Sequence, residues 1–228
     1  MKNTLTGILV LILAGAAWAS PIGVYVDDDF TGSSLDTNEW NVNNTSFITV
    51  ADSKLTLVSP GNWSDCAHVW SKDAVLPDAG QTVILTATGM ETDQWAATPY
   101  WGLVGSGNNK IQLLRGDAGD GWGVYVDIGN DSGTYRAKIL AQHQMTEKFE
   151  IIWSPGLVVV ERNDEVVFST SIWGGAGNIP TATLSADFLS WGGARLAADT
   201  TKLEVVPEPA TLSLLAAGGL LAVLRKRR

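Results

Sequence analysis

Cysteine is almost missing from this chain: its 228 residues hold one, Cys66. An internal disulfide is excluded, and stability has to come from a packed core. Cys66 itself reads as a small buried residue. Histidine is nearly as scarce, with only His68 and His143. Neither belongs to a close cluster of His, Cys and carboxylate; Cys66 and His68 stand two apart, and a zinc site would need further ligands from elsewhere. Bases are outnumbered, 15 Lys and Arg against 24 Asp and Glu, for a net charge of −9. Binding a phosphate backbone needs clustered bases, so nucleic acid is excluded as a partner. There is no G-x-S-x-G elbow and no glycine-rich phosphate loop between strand and helix. The middle of the chain keeps no helical period; residues 137–149 contain the one stretch suited to a short helix. No repeat of solenoid length occurs.

What is present is concentrated first at the two ends. The chain opens with one early base, Lys2, then an apolar run over residues 7–15, then Ala17-Trp18-Ala19. That layout is a secretory signal peptide, cleaved after Ala19 by signal peptidase. At the other end, residues 210–224 are apolar apart from Thr211 and Ser213, and Arg225, Lys226, Arg227 and Arg228 close the chain. A spanning helix needs about 20 apolar residues. This run is shorter, so it reads as a short hydrophobic helix that engages a membrane, its basic end held in the cytoplasm. Pro207 and Pro209 resist helix, which leaves the segment before the apolar run extended and accessible beside the membrane.

Pro207-Glu208-Pro209, the apolar run and the terminal bases resemble the PEP-CTERM sorting signal. The resemblance implies an exported protein of a Gram-negative bacterium that makes exopolysaccharide. It further implies transient anchoring in the inner membrane, cutting by an exosortase near the tripeptide, and a final place at the cell surface or in the extracellular matrix. The expected organisation is a signal peptide over residues 1–19, one domain over 20–206 and a sorting tail over 207–228. Losing Lys2 and the tail bases makes the mature domain more acidic still, which favours solubility.

The domain reads as β throughout. Residues 81–89 alternate, with Val83, Leu85 and Ala87 on one face. In residues 122–128, Trp122, Val124, Val126 and Ile128 point inward, and Gly123, Tyr125 and Asp127 outward. The turn Asn130-Asp131-Ser132-Gly133 leads into a returning strand with Tyr135, Ala137 and Ile139 on one side and Arg136 and Lys138 on the other. Ser154-Pro155-Gly156 and residues 162–165 mark two more hairpin turns, and residues 182–189 and 202–206 supply further strands. Many short strands separated by turn signals predict an all-β, antiparallel β-sandwich of jelly-roll type.

Two patches, residues 29–40 and the Trp153-Ser154-Pro155-Gly156 hairpin with the strand after it, resemble the concanavalin A-like sandwich of lectins, glucanases and laminin-G-like domains. That family includes both binders and hydrolases. Its family 16 hydrolases carry two glutamates around an aspartate on one strand. Retaining cleavage needs two carboxyl groups about 5.5 Å apart across the scissile bond. Here no glutamate occurs between Glu91 and Glu147. The nearest match, residues 125–130, keeps Asp127 and lacks both outer acids. The domain therefore reads as non-catalytic for that chemistry.

Ten tryptophans stand against this thin catalytic record. Trp40, Trp122 and Trp153 sit in apolar patterns and read as core. Trp95 and Trp101 fall in a polar stretch with a proline. With Asp93, Gln94 and Tyr100 they form the candidate ligand patch, because a ring can stack on a sugar's C–H face while polar neighbours bond its hydroxyls. Trp63 with Asn62 and Asp65 is a weaker candidate. Asp27, Asp28, Asp29 and Asp199 offer the oxygen ligands that calcium takes, but their spacing is not that of an EF-hand loop, and a solvated acidic run is the simpler reading. No metal site and no cofactor are assigned. The leading expectation is a protein that binds or scaffolds polysaccharide without cleaving it. The alternatives are a carbohydrate-active hydrolase or lyase with an unfamiliar acid pair, and a purely structural surface protein.

Overall fold

The computed structural model describes residues 20–61, 65–93, 98–117, 121–141, 145–171 and 178–208. The expected signal helix, the apolar run with its terminal bases, Pro209, Gln94, Trp95 and Trp63 lie outside them.

Sixteen strands follow one another along the described chain. They are β1 (Gly23–Asp28), β2 (Trp40–Asn43), β3 (Ile48–Ala51), β4 (Lys54–Val58), β5 (Cys66–Val75), β6 (Gln81–Thr92), β7 (Pro99–Val104) and β8 (Lys110–Asp117). Then come β9 (Trp122–Asn130), β10 (Gly133–Leu140), β11 (Glu147–Ser154), β12 (Leu157–Arg162), β13 (Glu165–Ser171), β14 (Leu184–Trp191), β15 (Arg195–Ala198) and β16 (Thr200–Pro207). One turn of 3-10 helix, Thr45–Phe47, is the only helix among the described residues. Residues 137–149, where the sequence allows a short helix, are strand at both ends, in β10 and β11.

The strands form two antiparallel sheets. One has nine strands, ordered β13-β12-β11-β6-β15-β4-β3, with β16 also pairing β6 and β1 pairing β16. The other has seven, ordered β10-β9-β8-β7-β14-β5-β2. The core lies between them. Val83, Leu85, Phe149, Ile151, Trp153 and Leu203 come from the first sheet, and Trp101, Leu113, Val124, Val126, Ile128 and Phe188 from the second. Each set occupies alternate positions of its strand, as the period of two requires.

Two core expectations need correction. Trp122 is 43% exposed at the open end of β9, where its ring lies 5.2 Å from the Arg115 guanidinium. It keeps the inward parity of Val124 but stands past the rim of the sandwich. Cys66 is a free thiol of intermediate exposure. It is the first residue of β5, at the end of the strand, and pairs with the exposed Trp191.

Candidate functional site

A strand in a sandwich offers one face to the core and the other to the outside. In the seven-stranded sheet the outward positions are not the usual solvated mixture. In the register, Arg136 (β10) stands beside Asp127 (β9), then Gln112 (β8), Gly102 (β7), Asp187 (β14), Trp70 (β5) and Asn41 (β2). The row beside it runs Lys138, Tyr125, Leu114, Tyr100, Leu189, His68 and Asn43. Charged, amide and aromatic side chains thus line up across all seven strands.

Several are buried although they belong to no part of the inter-sheet core. Asp127, Asp187 and Tyr125 are almost wholly shielded, and Gln112 nearly so. A buried carboxylate costs several kcal/mol unless it is paired, and each one here is. Arg136 grips Asp127 with two bonds, Nε to Oδ1 at 2.5 Å and Nη2 to Oδ2 at 2.6 Å. Lys110 Nζ lies 3.5 Å from the same Oδ2. The bidentate bond holds the Arg136 guanidinium above its ordinary pKa. Asp187 accepts one bond from His68 Nε2 and one from Gln112 Nε2, the latter at 3.2 Å. The second bond crosses the position of Gly102, which stands between the two residues in the register. A Cβ at Gly102 would come within 2.2 Å of the Ile111 carbonyl oxygen, so glycine is required by this close approach.

The aromatic groups divide the face in two. Trp70 stacks on His68 with ring centroids 4.5 Å apart and planes tilted by 32°. Both are half-buried. Tyr125 donates its hydroxyl to the Gly121 carbonyl, and Lys138 Nζ lies 5.8 Å from its ring centroid. Tyr100 sits between these groups, half-buried. Burial raises its phenol pKa above the usual value, and the Asp127 charge raises it further.

The residues proposed from the sequence are not all brought together. Tyr100 takes a place on this face. Trp101, its neighbour in β7, has the opposite parity: it is fully buried in the core beside Phe188, and its indole N–H has no hydrogen-bond partner among the described residues. It cannot stack on a ligand, and the reading of Trp101 as an exposed platform is corrected. The polar stretch is shorter than the sequence suggests, because β7 already begins at Pro99. Asp93 follows the end of β6, half-buried. Asp127 is outward, as its parity predicts, and it is sealed. His68, Trp70, Gln112, Lys110, Arg136 and Asp187 did not stand out in the sequence as ligand-binding residues. The signal was available in His68-x-Trp70 and Ser185-x-Asp187, which place polar or amphipathic groups two apart on a strand.

The acidic run is occupied with local structure. Asp28 accepts the Trp40 indole N–H at 2.8 Å and the Phe30 backbone N–H at 2.7 Å, and Asp29 accepts from Thr31. Among the described residues no group of three or more His, Cys, Asp and Glu has the arrangement of a metal site. Nor is any described helix long and apolar enough to cross a membrane. At the chain's end, Pro207 completes β16 opposite Gln81, and the Glu208 backbone N–H donates to the Gly80 carbonyl at 2.8 Å.

Comparison with known proteins agrees with both parts of this picture. Residues 205–228 match the PEP-CTERM protein-sorting motif. No curated protein matches the chain in sequence. Among solved structures, a glycosyl hydrolase family protein from Mycobacterium fortuitum aligns with a TM-score of 0.58 at 13% identity, over 80% of this chain and 100% of that one. The carbohydrate recognition domain of Emp46p aligns at 0.55 and 12% identity, over 81% and 98%. A pseudo β-1,3-glucanase and immunostimulatory antigen of Mycobacterium tuberculosis aligns at 0.53 and 14%, over 80% and 98%. At such identities the likeness is one of fold. The chain thus ends in a PEP-CTERM sorting motif, which implies export and sorting by an exosortase, and its body is a jelly-roll sandwich of the type shared by concanavalin-like lectins and family 16 glycosyl hydrolases.

Proposed function

We propose that the mature domain binds polysaccharide on the outer face of the seven-stranded sheet and does not cleave it. The observation that carries this reading is the cross-strand row of Asn41, Trp70, Asp187, Gln112, Asp127 and Arg136. Its half-buried ring supplies a stacking surface, and its fixed amide and guanidinium groups supply hydrogen bonds. The same row supports a non-catalytic role. Asp127 and Asp187 stand three strand spacings apart, about 14 Å across the sheet. A retaining pair needs about 5.5 Å. Gln112 also lies between them, and each carboxylate is already held by a cation, an imidazole or an amide. The carbohydrate-binding and pseudo-glucanase neighbours of the same fold favour this assignment. The domain reaches its place through signal peptidase and an exosortase, with the apolar tail engaging the inner membrane before processing.

Binding to a polysaccharide panel tests the proposal. Trp70→Ala should weaken the best ligand by about tenfold or more, the usual effect of losing a central aromatic anchor, with Tm little changed. Wild-type affinity in that variant, or the release of new reducing ends or unsaturated products by the purified domain, would reject the reading.

A further inference from the structure

The two ends of the mature domain meet at one pole of the sandwich. The Ser20 backbone N–H donates to the Leu76 carbonyl at 3.2 Å, the Leu76 N–H donates to Ser20 Oγ at 3.0 Å, and Gln81 Nε2 donates to the Ser20 carbonyl at 3.2 Å. Gln81 is also the residue opposite Pro207, and Gly80 takes the Glu208 N–H. One loop, residues 76–81, therefore ties down both junctions: the one that follows the expected signal peptide and the one that precedes the sorting tail.

The chain gives this pole little freedom to stand off from a tether. From Glu208 to the first residue of the apolar run is two residues, at most about 7 Å of extended chain. The same pole carries a cavity of about 470 Å³ lined by Leu76, Pro77, Trp153, Pro155, Ile179 and Pro180 among others, none of its lining residues charged. Ile22 and Leu157, beside it, are 58% and 37% exposed. Apolar exposure alone does not mark the pole, because Val58, Trp122 and Trp191 are exposed at the other end. The position of both junctions distinguishes the two ends.

We propose that the pole built on residues 76–81 is a lipid-facing surface, and that it rests on a phospholipid bilayer while the tail is inserted. The inference rests on the reading of residues 210–224 as a membrane-engaging segment and adds an orientation to it. The strands then stand roughly along the membrane normal. The outer face of the seven-stranded sheet, which runs along the side of the sandwich, is then held clear of the bilayer throughout processing.

The test uses the full chain, tail included, reconstituted into phosphatidylethanolamine and phosphatidylcholine vesicles that contain a spin-labelled quencher lipid. In a Cys66→Ser background, an environment-sensitive dye is placed on Ala79→Cys, in the loop, or on Ala141→Cys, at the far end of β10; both residues are exposed. At least threefold stronger quenching at position 79 than at position 141 is expected. Equal quenching, or stronger quenching at 141, in protein that floats with the vesicles overturns the orientation alone. Protein that does not float with the vesicles overturns the tether reading, and the orientation with it.

Discussion

Two side chains show how this domain handles charge. Asp127 is held by Arg136 and Lys110 in a nearly dry setting. Removing Arg136 leaves that carboxylate with one cation, Lys110 at 3.5 Å. Arg136→Ala should destabilise the fold by about 2 kcal/mol, less than a fully buried pair would cost because the arginine is itself part-exposed. Urea unfolding measures this, and Asp127→Asn in the same background should recover part of the loss. Glu39 makes the opposite case. Burial raises its pKa, and Asp28, Asp36, Asp27 and Asp73 add to the rise. The folded chain then holds that proton more tightly than the unfolded chain does. Ionised Glu39 therefore costs stability at neutral pH, and the cost vanishes as pH falls through the raised value towards the ordinary one. Glu39→Gln should raise Tm by about 1–2 °C at pH 7, a figure reduced for solvent screening, and leave it unchanged below about pH 4. Thermal melts at the two pH values check the sign.

At the scale of the element, local patterning was legible. The hairpins β9–β10 and β11–β12 follow from turn residues and alternation, and Val83, Leu85 and Ala87 face the core as the period of two demands. What alternation could not supply was the border between strand and loop. Placing β7 three residues later would have left Tyr100 and Trp101 together in a loop; with β7 starting at Pro99 they face opposite ways. The proposed binding face was illegible for another reason. Its seven strands come from β2 through β14 in an order unlike the chain's, so His68 meets Asp187 across 119 residues. No short stretch contains the row. Gly102 tests the element directly. Gly102→Ala sets a Cβ against the Ile111 backbone, which no rotamer relieves, and should cost about 3 kcal/mol. The measured loss should exceed that of Gly61→Ala, where the added Cβ meets nothing.

For the whole molecule, a single cysteine excluded internal disulfides, and the last residues carried the sorting motif that implies export. The body's architecture followed from many short strands and strong turns. The orientation of its faces did not, because it depends on which poles the termini occupy. The nine-stranded sheet makes one more feature plain. Its last strand in sequence, β16, is interior, joined to β6 along its whole length and to the edge strand β1 over residues 201–205. Leu203 and Val205 from that strand are fully buried. A chain ended at Lys202 should fail to give a cooperative melt, whereas one ended at Glu208 should match the longer chain.

That placement orders the domain's assembly on the ribosome. A nascent chain that has emerged only as far as β15 lacks the strand that joins β1 to β6, so the larger sheet closes only when the residues beside the sorting motif have been made.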